Sequence, residues 1–483
     1  MPARDLPPRP NLEQYRKQAK DLMKAFRRGD ADALRQLREH HPHAPAQPTL
    51  ADAQLVIARE HGIESWPKFV TAIEAASGRL ASTTVWRLAE QAVVAGDAAT
   101  LERLMRSYES VFRNERPQSW WKNTLHPEYQ RGDARAVITW THHFDSWSEF
   151  EAFQRDVRDP QSPVALFETA AEAIVTGDIE TLRRLLKAHP ELIRTRSVRN
   201  HHATLLHYVG ANGIEGYRQH TPPNAVDILE LLLAAGAEVD AIAYMYGRST
   251  TLGLVATSLH PERAGLQQAL IDVLLAHGAR MDTDDAGGNA MPLVDGCLAN
   301  GRGEAARHLA ARGAPLDIPA AGGVGRIDLL AACFDQDGRI RPPATIAELT
   351  RAMVAAAAYG QPATVTFLLD RGIPVDAQPP GSTFTGANWA ALNGDLEMLK
   401  IFMARGANLR IRNDYDGTAL GAALWGAANR PRQEPYPPVI ETLIAAGLEV
   451  EPGFIEWWER QEPRSPEAHE RILELLRAHE RSG

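Results

Sequence analysis

The stretch IEGYRQHTPPN, residues 214–224, gathers four side chains of chemical use, Tyr217, Arg218, Gln219 and His220. They offer a stacking ring, a planar cation, an amide and a group that titrates near neutral pH. In a closed pocket, His220, Tyr217 or the later His260 would serve as acid or base, and Arg218 or Arg248 would hold an anion. On an open surface the same residues would anchor a partner, because Tyr and Arg carry a disproportionate share of interface energy. Two more tyrosines, Tyr244 and Tyr246, stand with Arg248 in AIAYMYGRSTT (241–251). Tyr208 before the first stretch and Asn224 at its end complete the candidate binding set, with Asn224 expected to cap the helix that follows Pro222 and Pro223. The competing structural reading has Tyr217 packing inward and Arg218 satisfying helix-end carbonyls.

Other motifs bring weaker chemistry. His201, His202 and His207 cluster in HHATLLH, and His142-His143 stand in another segment, without the spacing of a zinc site. DTDDAGGNAMPL (282–293) begins like a calcium loop, yet Ala286 and Leu293 stand where oxygen ligands are needed. GGVGRID (322–328) holds only part of a dinucleotide fingerprint. GxSxG, GxxxxGK and HExxH are all missing, and Cys297 and Cys333 lack paired spacing. No metal and no cofactor are expected, and a catalytic set cannot be named.

The elements that must position the candidate residues come from a repeat. LLLAAGAEVD (231–240), LLAHGARMD (274–282), LAARGAPLD (309–317), LLDRGIPVD (368–376), FMARGANLR (402–410) and LIAAGLEVE (443–451) are variants of one phrase. Leucines face inward, Gly ends the helix in the left-handed region, and the chain leaves extended. The glycines are spaced by 42, 35, 59, 34 and 41 residues. The longest step leaves room for a degenerate unit near 320–334, and the 42- and 41-residue steps hold inserts. Thr204 and Thr418 are expected N-caps of the following helices.

These phrases, with WAALNGDLEMLKIFMARGANLRIRNDYDGTAL (389–420), resemble the ankyrin repeat over about 164–451. The resemblance, to a bacterial-type multi-repeat protein with N-terminal helical modules, implies an all-α solenoid with short hairpin fingers and a concave groove that mostly binds proteins. It also implies that His207, at the end of a TPLH-like motif, ties neighbouring turns together. The 213–224 segment is then an insert between two helices of one repeat, the 241–250 segment a finger, and SLHPERAGLQQ (258–268) a second insert.

Before residue 160 a different module repeats. ADAQLVIAREHGIESWPKF (51–69) aligns with GDARAVITWTHHFDSWSEF (132–150) at an offset of 81, matching Trp66 with Trp147 and Phe69 with Phe150. Both pairs are expected in cores, while Trp120 and Trp121 stand in a loop-like insert. Gly-Asp turns recur at Asp30, Asp97 and Asp178, each Asp placed to cap a helix. The expected organisation is a helical module at 1–80, a second at 81–160, the solenoid at 161–460 and a capping helix at 461–483.

Charge narrows the partners. Residues 1–40 hold ten Lys/Arg against six Asp/Glu, whereas the whole chain carries -9, so the remainder is acidic. An acidic body disfavours nucleic acid, and without a long apolar run no membrane span is expected. The favoured reading is a cytoplasmic recognition protein that takes a protein partner or small molecule in the concave groove. The alternative is a small-molecule enzyme or metabolite sensor that uses the same inserts as a pocket.

Overall fold

The computed structural model describes residues 12–45, 48–66, 68–70, 73, 82–108, 133–281 and 291–480. Trp120, Trp121 and most of the calcium-like loop lie outside the described residues. The chain divides into two compact units, residues 1–152 and 153–483.

The first unit is helical. Its Gly-Asp turns act as the sequence suggests: Asp30 accepts a hydrogen bond from the backbone of Ala33, and Asp97 from that of Thr100, each closing a helix start. The 81-residue offset reappears in three dimensions. Trp66 lies 5.5 Å from Phe69 and Trp147 lies 5.3 Å from Phe150, ring to ring. His61 and His142 contact the same phenylalanines at 5.1 and 4.8 Å. The side chain of His41 donates to Asp52, whose carboxylate also closes a capping box with Thr49, so both polar groups serve the fold.

The second unit is a succession of helix pairs. Pro163–Thr176 pairs with Ile179–Ala188, Thr251–Thr257 with Gln267–Ala276, Ile346–Ala358 with Pro362–Asp370, and Gly386–Leu392 with Leu396–Ala404. The long step between glycines does contain an extra pair, Ile318–Val324 and Ile327–Ala331. Between pairs the chain forms fingers whose strands shrink to single bridges, Arg196 with Thr204, Ala243 with Ser249 and Phe334 with Ile340. Apolar side chains from both helices of each pair form the core, including Leu229, Leu232, Leu252, Leu270, Leu368 and Leu399, all fully buried. At about 25 cal/mol per Å² of buried apolar surface, such contacts with neighbouring pairs hold helices too short to persist alone.

Local details depart from expectation, and Thr418 stands at its helix start without a side-chain cap bond. The first helix of the insert-bearing repeat is a 3-10 turn, Leu205–Gly210, ended by Ala211 in the left-handed region. Asn224 does not cap its own helix; its side-chain amide donates to the carbonyl of Gly177 at 2.9 Å. That carbonyl ends the Pro163–Thr176 helix, and a Cβ on Gly177 (φ +82) would stand 2.7 Å from Asn224 Oδ1. The second insert becomes a short helix, Leu259–Arg263, pinned by Gln267, whose amide donates to the carbonyls of Val255, Ala256 and Ser258. Among the described residues no helix is long and apolar enough to cross a membrane, and no cluster of metal-ligating side chains occurs.

Candidate recognition surface

One face of the Pro163–Thr176 helix is otherwise rich in alanine and carries Glu168 and Glu172, four residues apart and so on the same side. Two segments fold onto it. The finger joined by the Arg196–Thr204 bridge brings Arg199 and His201, and the 213–224 insert brings Glu215, Tyr217 and Arg218.

Together these side chains form a buried ionic network. Arg199 donates to Glu168 at 2.7 Å and contacts Glu215, while Arg218 reaches Glu168 at 2.7 Å, Glu172 at 3.1 Å and Glu215 at 3.6 Å. Glu215 is fully buried, and the side chain of Arg199 is only 1% exposed. His201 places Nε2 3.0 Å from Glu215, and its Nδ1 accepts the backbone N–H of Ala203. The second bond fixes the proton on Nε2, so a neutral imidazole suffices to donate to Glu215. The Tyr208 hydroxyl adds a weak contact at 3.4 Å.

The electrostatics follow from the pairing. Burial alone would raise the Glu215 pKa, but Arg199, His201 and Arg218 outweigh it and hold the carboxyl well below the usual range. Burial opposes the charge on Arg199 and Arg218 too, and the carboxylates overcome it, so both pKa values rise. The phenols of Tyr208 and Tyr217 rise as well, chiefly through burial, Tyr217 to about 12. A phenol held that high is a poor general base near neutral pH.

The structure therefore sorts the sequence candidates. Tyr208 and Arg218 are buried and serve the network, and Tyr217 is half-buried against it. Arg218 does not satisfy helix-end carbonyls, and as a cation already paired with Glu168 and Glu172 it is not placed to hold an anion. Gln219 donates within the insert to the carbonyl of Ile214 at 2.9 Å, and Asn224 caps Gly177. His220 is exposed; half-buried His260 has its pKa lowered by burial, then by Arg263 and His220. His207 performs the tying role: Nδ1 accepts from Thr204 and Nε2 stands 3.0 Å from the carbonyl of Ala241.

Besides His220, three candidates stay at the surface. Tyr244 is 62% and Tyr246 73% exposed, and Arg248 is exposed beside them. Tyr246 has φ +49 and precedes Gly247 at φ +94, at a hairpin tip where Asn or Gly meets less steric cost. Its hydroxyl donates to Asn212 Oδ1 at 2.9 Å, and the Asn212 amide donates to Thr257. Met245 packs against Gly213, where a Cβ would stand 2.8 Å from its sulfur. Finger and insert are thus in direct contact. Tyr244 meets His202 edge to face at 5.7 Å.

Sequence reasoning missed Glu168, Glu172, Arg199, His201 and Glu215 as a group. The available signal was a pair of glutamates in the apolar run ALFETAAEAIV and the Glu-x-x-Arg spacing of the insert.

Comparison with known proteins adds the family. Residues 353–403 match the family model of ankyrin repeats (many copies). No curated protein sequence matches the chain. Among solved structures, the chain is similar to the human ASB11 ankyrin repeat domain, with 20% identity and a TM-score of 0.28, covering 53% of this chain and 90% of that one. It is also similar to the ankyrin repeat domain of Bcl-3, a member of the IkappaB protein family, with 19% identity and a TM-score of 0.27, covering 53% and 93%. The matched segment lies within a run of helix pairs joined by glycine-ended turns and short fingers, and residues 353–403 are ankyrin repeats.

Proposed function

We propose that the protein recognises another protein through the concave side of its solenoid, with the 241–250 finger as the main contact. One observation carries this reading: Tyr246 is held in a left-handed backbone conformation, its hydroxyl tied to Asn212, while most of its surface faces solvent. Keeping a bulky residue there costs on the order of 1–2 kcal/mol, which folding alone does not require. A ring fixed in advance loses little entropy on binding, which favours it as an anchor. Tyr244 and Arg248 extend the contact, and Asn212, Gly213 and the buried network keep the finger's base from shifting.

The test begins with a partner isolated on the full chain and measured by calorimetry. Replacing Tyr244 and Tyr246 together by Ala should weaken binding about 30-fold or more, as loss of a hot spot does. Thermal unfolding should hardly move, because both side chains are exposed. Unchanged affinity would remove the finger from the interface.

A further inference from the structure

We infer that the face of the Pro163–Thr176 helix bearing Glu168 and Glu172 is a guanidinium-binding site which the chain fills with its own Arg218, and that its ligand class in trans is the arginine side chain of a peptide. Arg218 is recognised as a plane. Nη1 meets Glu168 Oε2 at 2.7 Å, Nε meets Glu172 Oε2 at 3.1 Å, and Nη2 donates to the Glu168 carbonyl at 3.4 Å. The rings of Tyr217 and Tyr208 stand 5.7 and 6.0 Å from its central carbon. Acceptors along several edges with aromatic rings beside them suit a guanidinium far better than an ammonium.

Charge balance points the same way. Among the described residues three carboxylates, Glu168, Glu172 and Glu215, surround two guanidiniums. Among the described residues the carboxylates outnumber the guanidiniums, and withdrawing Arg218 widens that excess. A vacated site would demand a cation.

The two arginines differ in setting, with side chains 1% exposed at Arg199 and 9% at Arg218. Arg199 comes from the finger and is 1% exposed; Arg218 sits in an insert whose only regular element is the 3-10 turn Gly216–Arg218. Gly213 has φ +73, nothing lies within 4 Å of a Cβ built on Gly216, and the Glu172 side chain is 54% exposed. The site is therefore open on its Glu172 side. An incoming guanidinium can replace Arg218 like for like, leaving no buried carboxylate unpaired, which is the step that would otherwise forbid exchange. The tethered Arg218 competes at an effective concentration of order mM, so a free ligand must exceed that to be seen on the intact chain. The site shares no residue with the exposed finger, so the arginine probe and a partner bound at the finger are titrated separately.

The experiment uses the full-length Arg218→Ala protein with N-acetylarginine amide as probe and the neutral isostere N-acetylcitrulline amide as control. Calorimetry should show saturable binding of the arginine probe to the variant, at least tenfold weaker binding of the citrulline probe, and no uptake by the unaltered protein at the same concentrations. The thermal midpoint of the variant should rise with the arginine probe only. Adding Glu172→Gln to the variant should weaken the probe again. A folded Arg218→Ala protein that binds neither probe, or both equally, overturns the assignment. Should Arg218→Ala be unfolded, Arg218→Gln carries the same titration, and failure of the arginine probe to bind or stabilise both variants counts against the site.

Discussion

Two repeats open with the same turn and fill it differently. At Thr204 the residue three positions on is His207, whose ring accepts from the threonine at 3.1 Å and reaches the next finger's Ala241 carbonyl at 3.0 Å. At Thr385 it is Asn388, which accepts from the threonine at 3.1 Å and donates to the Ile411 carbonyl at 3.4 Å. Both side chains are buried and both lock a helix start to the following finger. Around His207 lies the buried network of Glu168, Arg199, Glu215 and Arg218; around Asn388 the charged groups, such as the Arg405–Asp370 pair, stay at the surface. An amide does the locking without titrating, so the tie itself needs no ionisable group. The charges beside the first repeat answer a different need, that of fastening a polar insert in which Ile214 is the side chain buried in the hydrophobic core.

The largest expected effect separates the two repeats by burial of charge. Glu215→Leu leaves two buried guanidiniums, Arg199 and Arg218, to share Glu168, and should cost about 3–5 kcal/mol in denaturant unfolding. Arg405→Ala, which breaks an exposed pair, should cost about 0–1 kcal/mol. Equal losses would mean that the network is not the fastening it is taken for.

Acid sharpens the contrast between His207 and Asn388. Burial lowers the His207 pKa to about 4, only partly offset by its bond to Ala241, from an ordinary value near 6.5. The unfolded chain therefore binds a proton in this window that the folded chain refuses, and stability falls as pH drops from about 6.5 towards 4, by on the order of 3 kcal/mol. Glu215, with its folded pKa depressed, contributes stability that is complete above about pH 4.3 and is lost only at lower pH. His207→Asn should flatten the upper window and leave the lower one, as read from unfolding midpoints across pH. A profile unchanged by the substitution would place the acid sensitivity elsewhere.

The smallest effect concerns the finger. Tyr246→Asn, a residue suited to the left-handed position, should leave stability unchanged or raise it by up to about 1 kcal/mol. Partner affinity should still fall, which would divide the finger's role in recognition from any role in folding. A marked loss of stability would instead make the Tyr246–Asn212 bond part of the fold.

Much of the fold was legible. The helix-Gly phrase at Gly236, Gly278, Gly313, Gly372, Gly406 and Gly447 marks each unit because left-handed backbone after a helix is cheap only for glycine, and all six have positive φ. The Asp caps were legible because capping partners lie within a few residues, whereas the tying role of His207 was implied by the resemblance of its motif, its Ala241 partner lying 34 residues on. The site was less so. Arg218 reads as an exposed anchor in its own segment, and only a neighbour 50 residues earlier, Glu168, makes it a buried one.

By itself the sequence determined the repeat, the position of the inserts and the types of side chain available, because helix starts, helix ends and apolar stripes are set by residues close together along the chain. The tertiary structure alone decided which of those side chains face water. Tyr246 remains outside while Arg218 is enclosed, since burying a cation depends on carboxylates that stacking of separate elements brings within reach, and no local pattern encodes that meeting.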